Sequence, residues 1–174
     1  MKRYFGNFNN ETYNYLNKKA KDTFEKGHYL ESAIILFQNI ENALHLIVLV
    51  SAMHKGLSIS TMGRLLEKDN RFVRLVDYFS LFRPENPPDR FPKKLKKFNE
   101  KRNSVIHGLF FKKYDSLNKE LKDICEEGFR IRSRFDEIMK EIIKNLSTLP
   151  KSYFQIKEEE WYDLSQKGNK TNKF

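Results

Sequence analysis

The feature that most constrains the fold is a helical stretch, from about Tyr29 to His54, whose last turns are apolar almost all the way round. Its apolar side chains recur at spacings of three and four residues, as in an α-helix. They include Ala33, Ile34, Phe37, Ile40, Leu44, Ile47 and Val48. A helix of this kind must be covered on several sides to remove its apolar surface from water. We therefore expect it at the centre of the fold.

The other segments with helical periodicity are amphipathic, and the alternation typical of strands is nowhere sustained. They are a first helix that follows a cap at Asn9 or Asn10 and ends at Gly27, a short helix after residues 58–61, a segment at 72–82, a basic helix after Pro92, and a long helix at about 116–146. Short connections make successive helices antiparallel neighbours. The sequence thus predicts an all-α fold, an up-and-down helical bundle.

The length of 174 residues is typical of one compact domain, which we expect at residues 1–149. The prolines within 84–88 interrupt the helices, but as a loop inside that domain, because neither side could bury a core alone. Residues 150–174 are expected to form a loosely attached tail. Its aromatic residues could pin the tail onto the bundle or stack on bases; they are Tyr153, Phe154, Trp161 and Tyr162.

Positive charge is concentrated in one part of the chain. The whole protein has a formal charge of +10, and residues 83–113 contain ten basic and three acidic residues, a net charge of +7. A lysine run alone is explained by a solvated helix face. The position of this run directly before residues 102–108, which contain an arginine and a histidine, favours a polyanionic partner such as RNA. Lys93, Lys94, Lys96, Lys97 and Lys101 are the predicted RNA-binding residues.

The cysteine count and the lengths of the apolar stretches indicate in which cellular compartment the protein is expected. The single cysteine, Cys125, cannot form an intramolecular disulfide and falls in a helical pattern, so we expect it to be buried and the compartment to be reducing. The N-terminus has no apolar core of signal-peptide length. The longest apolar stretch, at 43–53, is too short to cross a bilayer. These features favour a soluble, cytoplasmic protein with no membrane partner.

The string Arg102-Asn103-Ser104-Val105-Ile106-His107-Gly108 carries the candidate chemistry. A motif this detailed is expected about 0.001 times by chance in a chain of this composition. RNA can be cut without a metal when its own 2′-hydroxyl attacks the adjacent phosphate. A histidine can serve that step as acid or base, and an arginine can stabilise the charged phosphate. His107 and Arg102 are therefore the predicted catalytic pair, with Asn103 positioning the phosphate or orienting the histidine.

Helical geometry limits what one copy of the motif can do. At 100° per residue, Asn103 and His107 lie about 40° apart, while Arg102 and His107 lie about 140° apart. One helix therefore presents Asn103 and His107 together and directs Arg102 to the flank. Two copies that face each other across a two-fold axis would complete the site more easily, so the sequence predicts a homodimer.

The motif resembles the signature of the HEPN domain superfamily, whose Arg-Asn-x-x-x-His-Gly variant recurs in small helical ribonucleases of toxin–antitoxin and defence systems. The resemblance is confined to about residues 95–111 and to the order of the helices. It implies a composite cleft between two domains, products with 2′,3′-cyclic phosphate and 5′-hydroxyl ends, no metal or other cofactor, and an antitoxin or defence-system partner. Some members carry a tyrosine two residues after the histidine that their antitoxin modifies; here that position is Leu109.

Other residues leave several alternatives open. Glu41 or Asn42 could support the cleft from the central helix, although Glu41 and His45, one turn apart, could simply contact each other. The histidines show no zinc-binding spacing. The motif itself could simply be the end of a helix, with Gly108 as its C-terminal cap. The chain could then be a catalytically silent module that binds RNA, a nucleotide or a protein, or a helical accessory subunit.

Overall fold

The computed structural model describes residues 10–57, 61–62, 64, 66, 71–82 and 90–146. In these residues the chain is helical and contains no strand, which confirms the all-α prediction. The principal helices are α1 (Asn10–Glu25), α2 (Tyr29–His54), α3 (Phe72–Phe82), α4 (Phe91–Gly108) and α5 (Tyr114–Leu146). Residues 61, 62, 64 and 66 are also helical, where the short helix was expected.

Helix α2 lies at the centre of the bundle, as its apolar composition predicted. Its Ile40, Leu44 and Ile47 have no exposed surface. It packs against α1, α3 and α5, and it reaches α4 through an edge-to-face contact of Phe37 with Phe98, whose ring centroids are 5.7 Å apart. Because α2 is covered from these directions, the relative positions of the surrounding helices depend on it.

Considered as a whole helix, rather than as the stretch 43–53, α2 is long and apolar enough to cross a membrane by length and composition alone. Its most apolar window has a mean hydropathy of 1.7, and 56% of that window is buried inside the protein. The core helix of a soluble protein meets the same criteria.

Helices α1 and α2 form an antiparallel hairpin joined by a tight turn. The amide of His28 donates to the carbonyl of Thr23 (2.8 Å), and that of Gly27 donates to the carbonyl of Phe24 (3.0 Å). This is the Schellman pattern, and Gly27 accommodates it because its φ is +78°. Farther along the pair, Ser32 Oγ donates to the carbonyl of Ala20, which satisfies a buried hydroxyl.

Helices α4 and α5 form a second antiparallel pair, joined by residues 109–113. Phe91 meets Phe135 edge-to-face at one end, and Lys101 pairs with Glu127 toward the other. Helix α5 begins at Tyr114, two residues before the predicted start, and Cys125 is buried as expected. Burial also raises the pKa of the Cys125 thiol to about 11.

Three helices meet at Gly128 of α5. A Cβ at this position would lie 3.4 Å from Leu36 Cδ1 and 3.6 Å from both Ile40 Cδ1 and Phe98 Cε2. Helix α5 therefore packs on α2 and α4 together at Gly128, where these neighbours would lie at ordinary contact distances from a methyl group. The loop expected at 84–88 and the tail at 150–174 lie outside the described residues.

We predict that Gly128→Ala raises the free energy of unfolding by about 0.5–1 kcal/mol, because alanine favours the helix and a methyl group meets ordinary contact distances there. Gly128→Leu should instead lower it by about 1–3 kcal/mol, because the larger side chain would overpack the junction. Urea unfolding of the two variants and the wild type measures both effects. A loss of stability in the alanine variant would show that the junction has no room for a methyl group.

Candidate functional site

Helix α4 has a buried face and an exposed face, and the motif residues are divided between them. The buried residues of α4 are Phe91, Leu95, Phe98, Asn99 and Val105. Arg102 follows Phe98 by one turn, so it emerges from the buried side, whereas Asn103 and His107 are exposed. The structure thus separates Arg102 from His107 on the same helix, in agreement with the angle of about 140° expected between them.

Arg102 is held between α4 and α2. Its guanidinium Nη1 lies 3.4 Å from Glu41 Oε2, and its Cζ lies 5.4 Å from the centre of the Phe37 ring. Both charged side chains are 28% exposed. The guanidinium is therefore partly withdrawn from water, where a carboxylate and an aromatic face both favour its positive charge.

Of the two supporting residues predicted on α2, the structure brings Glu41 to the motif. Asn42 instead faces outward, where its Oδ1 accepts a hydrogen bond from Gln38 Nε2 (3.1 Å). His45, one turn beyond Glu41, has a pKa below its usual 6.5, because partial burial disfavours the imidazolium more than the nearby Glu41 charge favours it. Glu41 thus contacts Arg102 and acts electrostatically on His45.

Asn103 and His107 share the exposed side of α4, one helical turn apart. His107 lies in the last turn of the helix, and its side chain is exposed. An exposed histidine beside an exposed amide can reach a bound phosphodiester without any movement of the core. One copy of α4 therefore offers an acid–base group and a polar positioning group, but does not aim Arg102 at the same point.

The five lysines predicted to bind RNA fall into two groups. Lys93, Lys94 and Lys97 are exposed. Lys96 Nζ lies 2.8 Å from Asp77 on α3, and Lys101 pairs with Glu127 on α5. Ion pairs at this level of exposure contribute only about 0–1 kcal/mol, so a phosphate could replace either acidic partner.

Gly108 does not have the left-handed conformation of a glycine cap. It belongs to α4, and the residue that follows, Leu109, continues in right-handed helical geometry at φ −51° and ψ −38°. A Cβ on Gly108 would lie 2.7 Å from Lys112 Cε, because the Lys112 side chain crosses this point to pair with Glu120. The glycine therefore makes room for a lysine, and the alternative in which Gly108 forms a left-handed C-terminal cap does not fit this geometry.

Three aromatic rings directly after the motif were not predicted as functional. Phe110, Phe111 and Tyr114 are 93%, 89% and 77% exposed. In the sequence, Phe110 and Phe111 lie outside the apolar stripes that predict α4 and α5, and they directly precede Lys112 and Lys113. This position could have indicated that their side chains are exposed.

In the part of the chain that the structure describes, no group of three or more His, Cys, Asp or Glu residues could hold a metal ion.

We predict that Glu41→Ala lowers the free energy of unfolding by about 0.5–2 kcal/mol, because it leaves the Arg102 guanidinium half-buried without its carboxylate. Arg102→Met should lower it by a similar amount, because methionine keeps the apolar packing on Phe37 but leaves the Glu41 carboxylate, which is also 28% exposed, without its partner.

Urea unfolding tests both effects, with Glu137→Ala as the matched control because Glu137 forms an exposed ion pair with Arg134. An effect of Glu41→Ala no larger than that of Glu137→Ala would show that the Arg102–Glu41 pair behaves as an ordinary surface ion pair.

Comparison of the chain with protein-family models, with curated proteins and with solved structures finds no match. The function of the protein must therefore be inferred from the chemistry of the motif and from the surfaces around it.

Proposed function

We propose that this protein is an endoribonuclease that cuts RNA by attack of the 2′-hydroxyl on the adjacent phosphate, at a site shared by two copies of the chain. The observation that carries the proposal is the exposure of His107 and Asn103 together on one face of the basic helix α4. RNA is the polyanion that contains its own nucleophile beside each phosphate, so a protein that supplies proton transfer and positive charge can cleave it.

The reaction would require the following proton movements. A base removes the proton of the 2′-hydroxyl, the 2′-oxygen forms a bond to phosphorus, and the bond from phosphorus to the 5′-oxygen breaks. The departing 5′-oxygen takes up a proton, which leaves a 2′,3′-cyclic phosphate and a 5′-hydroxyl. His107 would perform one of these proton transfers at each phosphate, and a water molecule would accept or supply the other proton.

A composite site would also bring Arg102 into use. In one copy Arg102 flanks α4 on the side of α2, where Glu41 and Phe37 restrict the position of its guanidinium. A second α4 across a two-fold axis would place its own His107 and Asn103 against this flank. Arg102 of one copy would then stabilise the phosphate on which His107 of the other acts, and Glu41 would be a positioning residue.

The similarity of the motif to HEPN ribonucleases supports a toxin or anti-phage role in the cytoplasm. An enzyme that cuts cellular RNA must be restrained, so an antitoxin or another defence protein would be a second partner. Leu109 replaces the tyrosine that some such partners modify, and therefore restraint here would act by another route.

The Arg102–Glu41 contact favours a second candidate, a catalytically silent module that binds RNA. In that case Arg102 would serve mainly to join α4 to α2, and the exposed lysines would provide affinity without cleavage. Retained RNA binding with no cleavage products distinguishes this candidate from the enzyme.

We predict that the purified protein cleaves RNA in the presence of EDTA and that His107→Ala slows cleavage by about 10²–10⁴-fold, because a proton-transfer group is lost. The products should carry 2′,3′-cyclic phosphate ends. The control variant is His54→Ala, which removes another exposed histidine and should cut like the wild type. Equal cleavage by the wild type and His107→Ala would identify a contaminating nuclease as the source of the activity.

We predict that two inactive variants restore activity when they are mixed. If Arg102 and His107 act from different copies, a heterodimer of Arg102→Met and His107→Ala chains contains one intact site and one doubly altered site. Random exchange of subunits should recover roughly a quarter of wild-type activity. Mixtures that remain as inactive as the separate variants, under conditions where subunit exchange is demonstrated, would show that the two residues do not act across the dimer.

A further inference from the structure

The connection between α4 and α5, together with the first residue of α5, exposes three aromatic side chains within five residues. Phe110 and Phe111 are almost fully exposed, and Tyr114 is 77% exposed. Burial of one such ring would be worth about 1.5–3 kcal/mol. The loop backbone is nevertheless well held, since the amides of Phe111 and Lys112 both donate to the carbonyl of Gly108, at 3.0 and 3.1 Å.

The charge around these rings selects among the partners that aromatic surface can bind. Residues 101–114 contain four basic residues and no acidic one: Lys101, Arg102, Lys112 and Lys113. Of these, Lys101, Arg102 and Lys112 pair with Glu127, Glu41 and Glu120, and Lys113 is exposed next to the rings. A nucleic-acid strand presents phosphates to the cations and flat bases to the rings, so it satisfies both features of the surface.

The rings also lie close to the proposed reaction site. Phe110 follows His107 by three residues, and the intervening Leu109 keeps helical geometry, so their backbones are separated by about 4.5 Å along the helix axis. A base stacked on this loop would therefore belong to a nucleotide near the phosphate that His107 contacts. Only an unpaired base has a free face for stacking and a backbone flexible enough to bring that face to the loop.

We propose that Phe110, Phe111 and Tyr114 form a base-stacking platform that holds unpaired nucleotides of RNA beside His107. This inference rests on the proposed function and adds the class of substrate: single-stranded RNA or the loops of folded RNA, with paired RNA excluded. Stacking on an aromatic side chain contributes about 1–3 kcal/mol per base, with little dependence on sequence.

The test measures binding of a fluorescein-labelled single-stranded RNA of about 12 nucleotides, a length within the usual range of site sizes, and of the same strand in a duplex. All proteins carry His107→Ala so that the RNA stays intact. The double variant Phe110→Leu/Phe111→Leu keeps apolar side chains but removes both rings, and Tyr114→Ala removes the third. Tyr15→Ala is the matched control, because Tyr15 is an exposed tyrosine on α1.

We expect the single strand to bind at least tenfold more tightly than the duplex. The leucine double variant should lose about tenfold or more of its affinity for the single strand, and Tyr114→Ala about fivefold, while Tyr15→Ala should have no effect. The slope of affinity against salt should not change in the ring variants, since stacking releases no counterions. Changing Lys93, Lys94 and Lys97 to Gln should instead flatten that slope.

Two results overturn the platform while the proposed ribonuclease survives. One is cleavage of RNA by the wild type together with unchanged single-strand affinity in the leucine double variant. The other is loss of binding only because the leucine variant dissociates into monomers, measured by light scattering at the same concentration, which would make the loop a contact between copies. A wild-type protein that neither binds nor cuts RNA refutes the proposed function itself, and the platform with it.

Discussion

The structure depends on the need to bury α2 from several sides. A helix with Ile40, Leu44 and Ile47 fully enclosed can exist in water only if neighbouring helices cover it. Helix α5 provides part of this cover at Gly128, where side chains of α2 and Phe98 of α4 approach the α5 backbone. Because α4 is positioned by this junction, the candidate chemistry on α4 depends on packing that lies beneath it.

The Arg102–Glu41 contact joins α4 to α2 and also involves a candidate catalytic residue. A guanidinium on the buried side of α4 requires a compensating group, and Glu41 on α2 provides it beside the Phe37 ring. A phosphate that approached Arg102 would compete with Glu41 for the same donors. The carboxylate thus restricts the position of the arginine side chain but leaves 28% of its surface exposed. The same guanidinium can therefore anchor α4 to α2 and remain accessible from solvent.

The positions of the helices along the chain could be predicted from the spacing of apolar residues. That spacing reflects which face of a helix is buried, whichever other helix covers it. The bounds of α2 and α3 and the burial of Cys125 follow from this pattern. The ion pairs of Lys96 and Lys101 could not be predicted, because Asp77 and Glu127 lie on other helices. The contact of the Lys112 side chain with Gly108 could not be predicted either, because it accompanies the pairing of Lys112 with Glu120 on α5.

The sequence by itself determined that the chain is all-α, that α2 needs cover, and that Arg102 and His107 leave α4 in different directions, because all three follow from helix geometry and the exclusion of apolar groups from water. Only the tertiary structure decided that Glu41 rather than Asn42 contacts Arg102, and that Phe110 and Phe111 stay exposed. Those outcomes depend on how α4 is rotated and placed against α2 and α5, and that placement is set by contacts between residues far apart in the chain.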